Sequence, residues 1–410
     1  MKFIFIYSAD GVGHIRTVIP GPFTNQLAQM ETGIKNCLLL VSETDSDFFI
    51  RDNDLLGTIQ GYVRYPSLTD AKDAGTHNRR LFRQILDDEF PLDKDVASSF
   101  ASFALDPDKM QAAVANDVLG FYPIYYCIKG SELIISSHLL LISQMRNCEI
   151  DHTGVAQRLT SPEFCNFGAR TILKDVFRLL PGEHIKFDLK NDHQKLVKYD
   201  NSLYSGAFSS TLRQSAEKLW QVIKEESEQC FKYDQEIAIG QSGGMDSRIL
   251  LASLAEGKSV SCYTYGHESD YETKIAKRCA ETIGAEFRSF DTTLFFPDRE
   301  KLRSYVLETE AVGVNQWLSI LENVHTDPNG KIPMGLGEMT EAIAGRNIKS
   351  YSSRSSRTKV FLGLKKIKWT PLDKEAFALW KKRKTASILK KIPNEDLPSD
   401  FNYGLIIAES

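Results

Sequence analysis

Ser242-Gly243-Gly244-Met245-Asp246-Ser247 combines residue types at a spacing that can do chemistry. It follows an apolar run, Glu236–Gly240, and precedes a helical pattern from Arg248 to Ala255. Two adjacent glycines let the backbone turn tightly and approach a ligand with no Cβ in the way. The N–H groups of such a turn, and of the helix that follows, then point outward as an anion cradle. The helix dipole adds about 0.3–1 kcal/mol per charge. Ser242 and Ser247 contribute hydroxyl donors. Asp246 is out of place beside a phosphate unless it holds a divalent cation that bridges to it. The set therefore predicts a metal–polyphosphate site. It is not the Walker pattern, which needs a lysine and a different spacing. The competing reading is a glycine-rich turn that only caps the helix, with Asp246 serving its dipole.

The elements around this turn must hold it in place. From Thr211 to Phe231 the apolar residues Leu212, Ala216, Leu219, Val222 and Ile223 recur at helical spacing. Strand Glu236–Gly240, the hexapeptide, helix Arg248–Ala255, strand Val260–Tyr265, helix Tyr271–Ile283 and strand Phe287–Phe290 follow in alternation. Such alternation predicts a parallel sheet covered by helices. The first 200 residues differ. Short runs rich in Ile, Val, Tyr and Phe (Phe3–Tyr7, Cys37–Val41, Phe121–Ile128, Leu133–Ser137, His184–Phe187) predict an antiparallel, mostly β structure. A hairpin is expected around Lys129-Gly130, and a tight turn at Pro181-Gly182. The Ser/Gly/Thr-rich stretch Leu203–Ser210 reads as a connector.

Composition bounds the function. With 410 residues, two domains are expected. Lys+Arg number 50 against 54 Asp+Glu, a formal charge of -4, which argues against a protein that coats nucleic acid. Within that balance Arg346–Lys391 is strongly basic, with 15 Lys+Arg against Asp373 and Glu375. It reads as a solvated helix face, a phosphate-binding face or a surface for an acidic peptide. Seven cysteines without a Cys-x-x-Cys pair support neither a disulfide framework nor a zinc site. No run approaches the roughly 18 apolar residues of a spanning helix, and polar Ser8 and Asp10 interrupt the N-terminus before a secretory core forms. The expected location is the cytoplasm.

The hexapeptide resembles the pyrophosphatase loop (PP-loop) of the N-type ATP pyrophosphatases, and more of the chain is similar to one member, the asparagine synthetase family. Asn116-Asp117-Val-Leu-Gly120-Phe-Tyr-Pro123-Ile-Tyr125-Tyr126 resembles that family's R-D-x-x-G-x-x-P-L-Y-Y, and Ser136-Ser137-His138 follows where the family has S-S-E. Arg170-Thr171 and Arg178-Leu-Leu-Pro181-Gly182 are similar to the end of its first domain. Tyr265-Gly266 with Ser269-Asp270 is similar to the segment bordering the adenylate. Gly335-Leu336-Gly337-Glu338 is similar to the G-x-G-x-D loop that supplies a second metal-binding carboxylate. The resemblance implies an α/β chain in two parts. Residues 1–200 would be an antiparallel, glutaminase-like domain of the Ntn-hydrolase type, and residues 211–410 a parallel-sheet domain of the adenine-nucleotide α-hydrolase type. It implies ATP and Mg2+ as ligands, with Asp246 and Glu338 on the metal. Ser242–Ser247, Tyr265, Gly266, Gly335 and Gly337 would surround the nucleotide.

Three departures shape the expected activity. The family's glutaminase nucleophile is a cysteine exposed after Met removal, whereas here Lys2 follows Met1 and the first cysteine is Cys37 within an apolar run. Asn116 stands where the family has arginine. The first part is therefore expected to keep the glutaminase fold without its activity. Glu338 replaces the usual Asp, with Glu341 a rival for its role, and the lysine that steadies the phosphates has no clear counterpart in Lys349–Ser410. What the resemblance implies is an amide synthetase that activates a small-molecule or peptide carboxylate as an acyl-adenylate for attack by ammonia or a substrate amine. The latter describes the ring-closing β-lactam synthetases and lasso-peptide cyclases. The alternatives are a tRNA-modifying enzyme with the same loop and a catalytically dead scaffold. Neither nucleic acid nor membrane is an expected partner, and a homodimer stays open. His14 beside the Asp10–Gly13 turn reads as part of a loop, and His267 as a surface histidine.

Overall fold

The computed structural model describes residues 2–12, 27–42, 48–160 (without 53, 88, 90–91, 93–95 and 119), 168–198 (without 192), 211–290 (without 255–256), 300, 310 and 334–336. They fall into two compact units, one within Met1–Leu203 and one within Tyr204–Ala344. Residues 201–210 and the basic stretch Arg346–Lys391 lie outside the described residues.

The first unit has strands β1 (Phe3–Ser8), β2 (Ala28–Met30), β3 (Cys37–Val41), β4 (Phe49–Asp52) and β5 (Leu55–Arg64), then helix α1 (Ala74–Leu86). There follow β6 (Ala97–Asp106), β7 (Gln111–Asn116), β8 (Tyr125–Lys129), β9 (Glu132–Ser136), α2 (Leu139–Met145), α3 (His152–Thr160), β10 (Phe177–Arg178), β11 (Glu183–Asp188) and β12 (His193–Lys198). They form two antiparallel sheets, ordered β10-β8-β9-β1-β3-β2 and β12-β11-β7-β6-β5-β4. Alternation along each strand aims one set of side chains into the space between the sheets. Phe3, Phe5 and Tyr7 of β1 meet Ala101, Phe103 and Leu105 of β6 there. The Phe103 ring lies 5.4 Å from that of Phe3 and 4.9 Å from that of Phe5, centroid to centroid. The outer face of the second sheet, with Leu55, Ile59, Phe100 and Ala104, is covered by Leu81, Phe82 and Ile85 of α1. That helix lies close because Gly57 has no side chain; a Cβ there would come within 2.3 Å of Phe82. Asp73 caps α1 by accepting from the Thr76 amide at 2.9 Å.

The second unit has α4 (Leu212–Cys230), β13 (Glu236–Gly240), α5 (Met245–Leu254), β14 (Ser259–Tyr265), α6 (Tyr271–Ile283), β15 (Glu286–Phe290) and β16 (Met334–Leu336). The sheet is parallel throughout, in the order β15-β14-β13-β16. Ile237 and Ile239 of β13 are fully buried in a cluster with Leu251, Leu254, Cys262 and Ala280. Thr211 and Gln214 close a reciprocal capping box at the start of α4. Ser253 on α5 donates to Ser227 on α4 at 2.9 Å. The apolar stripe expected on α4 is present, but Leu212, Leu219 and Val222 are exposed.

The chain is thus α/β, with antiparallel sheets in one unit and a parallel sheet in the other. Three local expectations need correction. The run Phe121–Ile128 forms a strand only from Tyr125 to Lys129, because Gly120 takes φ +60° and Pro123 has no N–H to give a ladder. In the β8–β9 hairpin the turn is Gly130-Ser131, since Lys129 still pairs with Glu132. The helix after the hexapeptide begins at Met245 rather than Arg248, which puts Asp246 and Ser247 inside its first turn.

Phe103 anchors both aromatic contacts between the sheets, so Phe103→Ala should cost about 3–5 kcal/mol. The expected reading is a clearly lowered urea midpoint for the cooperative loss of β-sheet ellipticity, while Phe48→Ala, at an exposed position, should leave it nearly unchanged.

Candidate active site

β13 ends at Gly240, and the chain turns through Ser242–Gly244 into α5. Ser247, only 3% exposed, ties this turn together. Its Oγ accepts from the Ser242 amide at 3.1 Å, lies 3.0 Å from Ser242 Oγ and donates toward Ser242 O at 3.1 Å. The Gly244 amide donates to Ser242 Oγ at 3.1 Å. Two of the loop's N–H groups are consumed in this way. Those of Gly243, Met245 and Asp246 have no acceptor among the described residues. They are the free donors an anion would meet.

Asp246 sits half-buried in the first turn of α5, and no described cation pairs with it. Its carboxylate is favoured there by the helix dipole and is open to a hard cation. Gly243 is required by a close approach: a Cβ on it would lie 3.1 Å from the Glu272 Cα at the start of α6. The loop therefore abuts the first turn of the next helix.

The parallel register sets β14 and β16 on either side of β13, with Gly240 opposite Tyr263 and Leu336. Tyr265 and Gly266 end β14 and begin the loop that leads to α6. Gly266 takes φ +131°, and its amide donates to Phe290 O at 2.8 Å. Asp270 caps the loop rather than a ligand, accepting from the His267 amide at 2.8 Å. His267 is exposed and bonds Ser269 through Nδ1 at 2.7 Å. Gly335 is buried in β16, where a Cβ would meet Leu250 of α5 at 3.1 Å. Gly337, Glu338 and Glu341 lie outside the described residues, as do Gly13 and His14. The structure thus brings Ser242–Ser247, Tyr265, Gly266 and Gly335 to one edge of one sheet, where open α/β sheets take their ligands.

Two residues that sequence reasoning passed over belong here. Arg248 is exposed, and its Nε donates to Gly244 O at 3.1 Å. Gln241, between β13 and the loop, is 1% exposed. A glutamine ending an apolar strand was the available signal, because such a position is seldom both polar and buried.

In the first unit, three segments that carried the family resemblance also meet. The Asp117 carboxylate accepts from the Phe100 and Gly120 amides at 2.5 and 2.9 Å, and Asp117 O accepts from the Gly182 amide at 2.7 Å. Arg178 donates to Gly120 O at 2.9 Å. Ser136 and Ser137 bond the Phe3 backbone, at 2.8 Å to its carbonyl and 2.9 Å from its amide. Asn116 is fully buried, with its amide nitrogen on Leu179 O at 3.1 Å. These groups brace backbone. Cys37 begins β3 half-buried against the sheet core, and burial pushes its thiol up to about 12, so it holds almost no thiolate near neutrality.

No family model matches the chain, and no curated protein matches it. Among solved structures it is similar to glutamine phosphoribosylpyrophosphate amidotransferase from B. subtilis, at 11% identity over 71% of this chain and 90% of that one, with a TM-score of 0.27. It is similar to the NH3-dependent NAD synthetase from Campylobacter jejuni at 15% identity, over 46% of this chain and 100% of that one, TM-score 0.21. A third is the U34-tRNA thiolase NcsA from Methanococcus maripaludis, at 14% identity over 50% and 77%, TM-score 0.23. Likenesses this slight carry no argument, and the site is argued from its own geometry. No helix among the described residues is long and apolar enough to cross a membrane.

Burial of Cys37 has a direct consequence. Iodoacetamide at pH 8 should leave Cys37 unlabelled in the folded protein and label it fully in guanidinium, read by peptide mass mapping. Rapid labelling of the folded chain at neutral pH would show an accessible thiolate instead.

Proposed function

We propose that the chain is an ATP-dependent, AMP- and pyrophosphate-forming amide synthetase of the asparagine synthetase kind, without glutaminase activity of its own. The observation that carries this reading is the pairing of three N–H groups, on Gly243, Met245 and Asp246, with an Asp246 carboxylate, none of which has a partner among the described residues. Free amide donors beside a carboxylate can hold a phosphate and the cation that bridges to it together.

Asp246 fits a magnesium site, as a half-buried hard oxygen ligand without a competing ion pair, and Glu338 is the second ligand that the sequence pattern suggests. Magnesium is suited to one or two carboxylates completed by substrate phosphates. When bound it neutralises charge on the pyrophosphate leaving group. The chain's own residues do the rest. The free amides hold the phosphate oxygens, and Ser247 keeps the loop from collapsing onto them. Gly243 lets α6 pack close enough to wall the site. A substrate carboxylate oxygen attacks the α-phosphorus; the bond to the bridging oxygen breaks, and its electron pair leaves with pyrophosphate. An amine then attacks the acyl carbon; the bond from that carbon to the phosphate oxygen breaks, its electron pair leaves with AMP, and the amine's proton passes to solvent. Positioning and charge neutralisation are what such a reaction asks of a protein.

The nitrogen comes from ammonia or from an amine on the substrate. In the first unit Asn116, Asp117 and Arg178 are engaged with backbone, and the Cys37 thiol stays protonated, which supports a glutaminase-like fold kept for structure.

Asp246→Asn is nearly isosteric and should abolish ATP–pyrophosphate exchange measured with the carboxylate substrate, while the thermal midpoint stays within a few degrees of wild type. Undiminished exchange would remove the metal role. Incubation of the purified chain with glutamine should release no glutamate above a no-protein control.

A further inference from the structure

Gln241 carries an unspent hydrogen-bonding atom at the site. Its backbone amide donates to Tyr263 O at 2.8 Å, and its side-chain Nε2 donates to Ser242 O at 2.8 Å. The second contact fixes which way the amide faces, because the reverse orientation would set two oxygens against each other. Oε1 is therefore the atom left over, and among the described residues it has no partner although Gln241 is 1% exposed. A buried acceptor left unpaired is unfavourable, and in native proteins such an atom has a water or a ligand to meet.

Its position beside the loop makes a ligand bound there the partner to consider. Gln241 follows the carboxyl end of β13 and is bonded to the first residue of the loop that holds the free amides. Phosphate and carboxylate groups offer only acceptors at neutral pH, so neither can satisfy Oε1. The donors of ATP all belong to its nucleoside: the ribose hydroxyls and the 6-amino group of the base.

We propose that Gln241 Oε1 accepts a hydrogen bond from the nucleoside half of ATP and so selects the nucleoside. The inference rests on the ATP-binding reading given above and adds a specificity residue to it. An analogue lacking the donor leaves Oε1 buried and unpaired, and a site built around a hydrogen bond rejects such analogues.

The test is calorimetric titration of the full chain, in magnesium, with ATP, 2′-deoxyATP, 3′-deoxyATP, purine riboside triphosphate (which lacks the 6-amino group) and inorganic pyrophosphate. One of the three analogues should bind about tenfold or more weakly than ATP, and which one identifies the donor. In Gln241→Met that analogue and ATP should bind alike, whatever the loss of the Nε2–Ser242 O bond does to the affinity for both. Equal binding of all three analogues and ATP by wild type would overturn the proposal, as would full discrimination retained in the variant. A wild-type chain that binds neither ATP nor pyrophosphate would instead defeat the functional reading itself.

Discussion

The candidate site depends on one hydroxyl. Ser247 Oγ meets the Ser242 amide, hydroxyl and carbonyl within 3.1 Å, and so closes the turn from inside. A turn with two glycines has many accessible conformations, and fixing them costs more entropy than fixing any other residue. The serine offsets part of that cost with local hydrogen bonds that do not use the outward amides. Were the loop stabilised by pairing those amides instead, it would be just as well ordered and chemically inert. The distribution of its hydrogen bonds, more than their number, is what makes it a site.

The supporting elements follow from that requirement. The parallel sheet sets the ends of β13, β14 and β16 side by side, and glycines stand where neighbours crowd in. Gly243 lies against Glu272, and Gly335 against Leu250. The second contact packs β16 onto the helix that begins in the loop, so the strand that precedes Gly337 and Glu338 is registered to the loop through α5. The first unit uses the same physics for another end. Asp117 and Arg178 bond the backbone of Phe100 and Gly120, and this holds a turn together.

Much of this was legible in the chain. Helix Tyr271–Ile283 and strand Glu236–Gly240 are found where periodicity places them, because each has a clean hydrophobic period and a marked boundary, Gly284 in the one case and the hexapeptide in the other. The start of α5 was misjudged for a specific reason. Gly-Gly reads as a turn and Arg248 as a helix residue, but Ser247 bonds back to Ser242 and Gly244, and winds the helix three residues earlier. The strand at Phe121 failed in the opposite way. Its aromatic residues carry β propensity, but Pro123 and the positive φ of Gly120 override it. Which atoms are left unpaired is a property of packing, so no reading of residue types could have shown it.

Buried side-chain atoms without a hydrogen-bond partner among the described residues occur in both units. Asn116 Oδ1 and Arg178 Nε, in the first unit, and Gln241 Oε1 and Thr273 Oγ1, in the second, are buried without a partner. The first two belong to segments that carried the family resemblance, the last two to segments beside the Ser242–Ser247 loop. A folded core ordinarily removes such defects, since each costs about 1–3 kcal/mol. Their persistence is expected where selection has acted on something other than stability. The two units differ in what surrounds the defects. In the first, the neighbouring Asp117 and Arg178 are bonded to backbone. In the second, Gln241 is bonded to a loop whose Gly243, Met245 and Asp246 amides and Asp246 carboxylate have no partner among the described residues.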